Sequence, residues 1–180
     1  ILVLPSAEIN ADTGFSGGTQ GTGWIDFRSP GDIHIYGDDN RPFSLHANQG
    51  LTNGHGGLIQ VRSAGGGNVS LAGKAIQANS VAGGGKGGTV FVEATFGSVD
   101  LGTSSVQAVG AIFGGGGQAG GNITVNAFLG DIDGTLPGEV NAAGGGVVGT
   151  PGSVSLNFCN SMNYTGLTFP AAQTAQICAF

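Results

Sequence analysis

Side chains able to carry out chemistry are sparse in this chain. Its 180 residues include five Lys and Arg, 11 Asp and Glu, three His and two Cys. Cys159 and Cys178 both fall within the last 22 residues, form no CxxC, and have no metal-ligand spacing to His34, His46 or His55. A disulfide between them is the favoured reading. It closes a loop of about 20 residues and, on the chain-entropy model, stabilises the C-terminal segment by about 3 kcal/mol; two buried reduced thiols are the alternative. The oxidised pair implies an extracytoplasmic location. Asp100, Asp131 and Asp133 are weak candidates for holding calcium through oxygen ligands, since solvated surface carboxylates are commoner and the EF-hand spacing is missing. Acid–base cleavage of a sugar needs carboxylates, or a base, converging on one cleft. Here the charges are scattered, and no Ser/His/Asp, P-loop or HExxH signature occurs. The chain is expected not to be an enzyme and, that calcium apart, to need no cofactor.

Composition narrows the partners. A net charge of -6, with Arg28, Arg41, Arg62, Lys74 and Lys86 scattered, repels phosphate backbones, so nucleic-acid binding is not expected. The longest apolar stretches, such as Ile1 to Pro5, are far short of the roughly 20 residues that span a bilayer, so no membrane insertion is expected. The sequence starts at Ile1 with no charged, then apolar, leader, so any signal peptide is removed or lies outside it. With 38 Gly the backbone must visit glycine-only conformations often. There is no strict Gly-X-Y period, and 39% apolar residues with few charges disfavour both collagen and disorder.

The elements that must position these residues come from an internal repeat. Gly23-Trp24-Ile25-Asp26-Phe27 recurs as Gly57 to Val61, Gly88 to Val92, Gly121 to Val125 and Gly152 to Leu156, 31 to 34 residues apart. A second alternating segment follows at Ile33-His34-Ile35, Val69-Ser70-Leu71, Val99-Asp100-Leu101 and Ile132-Asp133-Gly134. A third closes each unit at Ile9-Asn10-Ala11, Leu45-His46-Ala47, Ile76-Gln77-Ala78, Val106-Gln107-Ala108 and Val140-Asn141-Ala142, before a Gly-rich run. Period-two alternation places one set of side chains inside and the other in water. Three such short strands cannot bury their own apolar edges, so units must stack about 4.8 Å apart. The expected fold is all-β, a three-sided parallel β-solenoid with about 31–34 residues per coil. The first face contributes Ile25, Phe27, Ile59, Val61, Val90, Val92, Ile123, Val125, Val154 and Leu156 to its interior. Small Ala on the third face suggests a tight corner, and Gly supplies the bends. Asp38-Asp39-Asn40-Arg41-Pro42 reads as a turn.

The pattern Gly-Gly-x-Ile-x-Val, Gly-x-Ile-x-Leu, Ile-x-Ala and a Gly run, over about residues 9 to 158, resembles the haemagglutination-type repeats of filamentous-haemagglutinin-like bacterial surface proteins. That resemblance implies a right-handed β-helix, export, and a role as adhesin, filament or surface scaffold.

The expected organisation is a solenoid over 1–158 with an N-terminal apolar strand, then a disulfide-closed cap over 159–180 whose apolar set includes Met162, Tyr164, Leu167 and Phe169. Ile1-Leu2-Val3-Leu4 can fold back locally or serve as an assembly strand that pairs with a neighbouring copy, in which case protomers stack head to tail. Asn10, His46, Gln77, Gln107 and Asn141 form an outward amide ladder, read as structural rather than as a glycan-binding strip. Sequons occur at Asn68, Asn122 and Asn163. The functional expectation is an extracellular or cell-surface, non-catalytic structural or adhesive protein whose partner is itself, with surface glycans as a further partner. The alternative is a carbohydrate-binding module or polysaccharide-active enzyme on the same scaffold.

Overall fold

Alternation with period two builds strands, and the repeat brings each strand over its counterpart. The structure, a computed structural model, describes residues 1–4, 7–12, 23–38, 43–48, 54–80, 84–113, 116–146 and 148–178. Three six-stranded sheets, parallel throughout, form the sides of a β-solenoid. The first face comprises Trp24–Ser29, Leu58–Ser63, Thr89–Ala94, Asn122–Ala127, Ser153–Phe158 and Gln173–Gln176. The second comprises Leu2–Val3, Ile33–Tyr36, Val69–Ala72, Val99–Asp100, Ile132–Gly134 and Met162–Tyr164. The third comprises Ile9–Asn10, Leu45–His46, Lys74–Gln77, Ser105–Gln107, Glu139–Asn141 and Leu167–Phe169. No helix of the described residues is long and apolar enough to cross a membrane.

Register places Ile25, Ile59, Val90, Ile123 and Val154 in one column, each beside the next. All five are nearly or fully buried, as are Ile33, Val69, Val99 and Ile132 on the second face and Leu45, Ile76, Val106 and Val140 on the third. Each fully buried aliphatic side chain contributes about 1.5–3 kcal/mol relative to exposure. This continuous pillar is the core. Phe27, expected inside, is half-buried because its strand is the outermost of its sheet.

One corner explains the glycine step. Gly57, Gly88, Gly121 and Gly152 donate their N–H to the carbonyls of Ala47, Ala78, Ala108 and Ala142 at 2.7–2.8 Å, closing each lap between the third and first faces. A Cβ on Gly88, Gly121 or Gly152 would overlap the carbonyl oxygen of the glycine one lap earlier. Glycine is required here by close backbone approach, and alanine across the corner leaves room for it. The longer run after Ala111 carries a small antiparallel hairpin, Ile112–Phe113 with Gly116–Gly117, outside the stack.

The segment expected to cap the stack is instead one more layer of it. Met162–Tyr164, Leu167–Phe169 and Gln173–Gln176 extend all three sheets in parallel register. Its inward column changes chemistry: Thr168 follows Val140 and Thr174 follows Leu156, while Leu167 and Phe169 point outward, about half exposed. Tyr164 sits in register with Gly134, and a Cβ there would overlap its ring, so the glycine makes room for the phenol. On the first and third faces the inward column thus reaches hydroxyl-bearing side chains, while on the second Met162 continues the apolar column beside Ile132. The N-terminal strand is likewise part of its own sheet: Leu2 and Val3 pair with His34 and Ile35, Val3 is buried, and Ile1, Leu2 and Leu4 are exposed.

Candidate functional site

The polar residues are organised axially, one lap above another. On the third face, Asn10, His46, Gln77, Gln107 and Asn141 do occupy one column. Only its middle is bonded as a ladder. Gln77 Nε2 donates to Gln107 Oε1 at 3.2 Å, Asn79 Nδ2 donates to the same oxygen at 3.1 Å, and Asn48 Nδ2 donates to Gln77 Oε1 at 2.7 Å. Asn141 turns aside to Glu139 and to the N–H of Ala143, and Asn10 accepts from Asp12 N.

His46 departs furthest from expectation. It is no outward amide-like rung but a buried side chain, 6% exposed. Its Nε2 lies 2.8 Å from Glu8 Oε1 and its Nδ1 2.9 Å from Asp12 Oδ2, both carboxylates belonging to the lap beneath. Burying an imidazole at this corner needs partners for both ring nitrogens.

Two further ladders run along the corners. Asp12, Asn48 and Asn79 each follow the Ala that ends the third segment. Their Oδ1 atoms accept the N–H of Asn48, Asn79 and Val109, one lap on, at 2.5–2.9 Å. Before the second face, Asp32, Asn68, Ser98 and Asp131 do the same for Asn68, Ser98, Asp131 and Ser161 at 2.8–3.0 Å. Each such bond satisfies a backbone donor that the bend would otherwise leave unpaired, with a net worth of about 1 kcal/mol. Asp131 Oδ1 thus holds Ser161 twice, through its N–H and, at 2.5 Å, its hydroxyl. Asp133 accepts from Asn163 Nδ2 at 2.9 Å, and Asp100, its register neighbour, accepts from Gly102 N at 2.8 Å. Among the described residues no three His, Cys, Asp or Glu are grouped to hold a metal ion. Residues 39–42 of the expected turn at Asp38 lie outside the described residues.

The outward side of the first face is chemically mixed. Asp26, Gln60, Phe91, Thr124 and Ser155 form one column, and Arg28, Arg62, Glu93, Asn126 and Asn157 the next. Arg28 pairs with Asp26 at 2.8 Å, and that hydrogen bond and charge raise its pKa. The Arg62 guanidinium stands over the Phe91 ring, 4.6 Å from its centroid. Trp24, 63% exposed, is at the edge of this face. The sequon asparagines Asn68, Asn122 and Asn163 are exposed.

Cys159 and Cys178 are joined as expected. The bond ties the last strand of the first face to the one before it, beside Ile177 N donating to Phe158 O at 2.6 Å. Tyr164 is pushed up to about 12 by burial first and by the Glu139 charge second, and its hydroxyl donates to Leu167 O at 3.1 Å.

Glu8, Asp12, Asn48 and Asn79 are site residues that the sequence reading passed over. Their signal was present: Asp or Asn follows Ile-x-Ala or Leu-x-Ala in each of the first three units. These features define the class of protein, a three-sided parallel β-solenoid laced by axial side-chain ladders. No protein-family model, curated protein or solved structure matches the chain.

Proposed function

We propose that the chain is a non-catalytic structural or adhesive element of the cell exterior, working by stacking on copies of itself. The observation that carries this reading is the pair of terminal layers. Leu2–Val3, Ile9–Asn10 and Trp24–Ser29 at one end, and Met162–Tyr164, Leu167–Phe169 and Gln173–Gln176 at the other, each have one strand edge unpaired among the described residues. Exposed Ile1, Leu2, Leu4 and Trp24 accompany the first set, and Leu167 and Phe169 the second. Unpaired parallel edges are templates for strand addition. Two different end surfaces meeting head to tail propagate without closing. The repeat pattern's resemblance to filamentous-haemagglutinin-like proteins supports the same reading, as does the disulfide for an oxidising location. In this role Ile1 to Leu4 supply an outer edge for a neighbour while their inner edge stays in their own sheet.

Electron microscopy of the full chain tests the proposal. Six layers at about 4.8 Å predict fibres with an axial repeat of about 29 Å; dispersed monomers at every concentration would overturn it. A second reading, glycan binding on the first face, is favoured by exposed Trp24 beside in-register acidic, amide and guanidinium groups. Monomers retained on immobilised polysaccharide, with Trp24→Ala abolishing retention, would establish that alternative.

A further inference from the structure

We propose that the Cys159–Cys178 disulfide is a redox gate on self-stacking: intact, it holds the strand edge on which the next copy seats, and its reduction by a dithiol releases that edge. The gate rests on the stacking reading above and adds its regulation.

The bond closes one lap. Cys159 follows the fifth strand of the first face and Cys178 the sixth, 19 residues on. Met162–Tyr164, Leu167–Phe169 and Gln173–Gln176, one strand from each face, therefore lie inside a single covalent ring. Of the three, Gln173–Gln176 depends most on that tie. Its ladder to Ser153–Phe158 runs over four register pairs on one side, with Ile177 N donating to Phe158 O at 2.6 Å and Gln176 Nε2 to Cys159 O at 2.8 Å. No strand among the described residues covers its other edge. All four of its residues are exposed, and it adds no apolar side chain to the core cluster, on which Met162 and Tyr164 pack. A cross-link closing about 20 residues restricts the opened chain enough to shift a local opening equilibrium about a hundredfold.

That strand is also where a neighbour gains most. In the first layer Trp24–Ser29 has six residues, against two each in Leu2–Val3 and Ile9–Asn10. In the last, Gln173–Gln176 has four, against three each in Met162–Tyr164 and Leu167–Phe169. Continuing the register of the first face lays Trp24–Ser29 of the next copy along Gln173–Gln176, so the largest share of the junction's strand hydrogen bonds forms there. With Gln173–Gln176 released, the first-face edge is that of Ser153–Phe158, one layer deeper, while the other two edges stay in place. A second folded copy cannot then seat on all three. The exchange balances: one dithiol sulfur attacks, the Cys159–Cys178 bond breaks as a mixed disulfide forms, and the second dithiol sulfur displaces the remaining cysteine. The dithiol ends as its own disulfide, and Cys159 and Cys178 end as thiols carrying its two protons. Cys178 is exposed and Cys159 half-buried, so a dissolved dithiol reaches the bond at a free end.

The test follows the full chain, oxidised and after treatment with dithiothreitol, through two readouts. Hydrogen-exchange protection at Ile177 in the unassembled chain reports the tie, with Val90 and Val92 as interior references. Sedimentation with electron microscopy gives the concentration above which fibres form. Reduction is expected to lower protection at Ile177 about a hundredfold, to raise the fibre-forming concentration about tenfold or more, and to leave the references unchanged; reoxidation restores both. The Cys159→Ala/Cys178→Ala chain is expected to behave as the reduced protein with or without dithiothreitol, retained protection at Val90 and Val92 showing that it is folded. Reduced chains that form fibres at the same concentration as oxidised ones, or that keep Ile177 protected, overturn the gate and leave stacking standing. Oxidised chains that form no fibres at any concentration overturn the stacking reading and the gate with it.

Discussion

Replacing Gly121 with alanine isolates the corner at which one lap meets the next. The added Cβ would lie within the van der Waals shell of the Gly88 carbonyl oxygen and of adjoining backbone, so the corner has to open. Opening strains two bonds in particular, Gly121 N to Ala108 O at 2.7 Å and Asn122 N to Gly88 O at 2.9 Å. At about 0.5–1.5 kcal/mol net each, their loss costs about 1–3 kcal/mol, and loosened packing around buried Ile123 adds to it. The matched control is Gly66→Ala. A Cβ there meets nothing within 4 Å, and the backbone is outside the left-handed region. That change should be neutral or stabilising by about 0.4–1 kcal/mol, through the unfolded chain. Urea unfolding compares the midpoints at unchanged slope, and thermal melts should separate the two variants by at least about 2 °C for a chain of this size. Equal midpoints for Gly121→Ala and Gly66→Ala would refute the claim that laps touch through a glycine column.

Reducing Cys159–Cys178 should act locally. All four residues of Gln173–Gln176 are exposed, so without the covalent tie this strand should lose exchange protection while Thr89–Ala94 and Asn122–Ala127 keep theirs; uniform loss across the chain would contradict the layered picture. Tyr164 should ionise near 12 in a spectrophotometric titration, because burial and Glu139 disfavour the phenolate. Since its folded value exceeds the unfolded value of about 10, the stability it contributes is complete below about 10 and lost as pH rises towards 12. Glu139→Gln should lower the Tyr164 midpoint by less than the burial contribution.

Architecture was legible because two simple periods coincide. Alternation along each segment names the inward residues, and the 31–34-residue recurrence says which of them stack, so Ile59, Val90 and Ile123 could be placed in one column from spacing alone. The last layer defeats the same reasoning: Thr168 and Thr174 face inward while Leu167 and Phe169 face out, so hydrophobicity there points to the wrong side. Register inherited from the preceding strands overrides the local pattern. His46 was hidden for a different reason. Its position in the Asn10–Asn141 column was readable, but its two carboxylates are supplied by residues 34 and 38 positions earlier, at a bend whose path no periodicity describes.

The change of inward chemistry along the axis bears on how a stack of copies would behave. Between interior laps, Val106 meets Val140 and Val125 meets Leu156, apolar against apolar. At the last layer the corresponding positions are Thr168 and Thr174, and the Thr168 hydroxyl oxygen already accepts the N–H of Ala172 at 3.1 Å. A following copy would lay Ile9 and the edge of Trp24–Ser29 over these hydroxyls, gaining strand hydrogen bonds but less apolar burial than any interior lap, and desolvating two polar groups. A junction of that kind is weaker than the layers on either side of it. In the proposed fibre, protomers therefore part at their junctions as folded solenoids well before the pillar within each one comes apart.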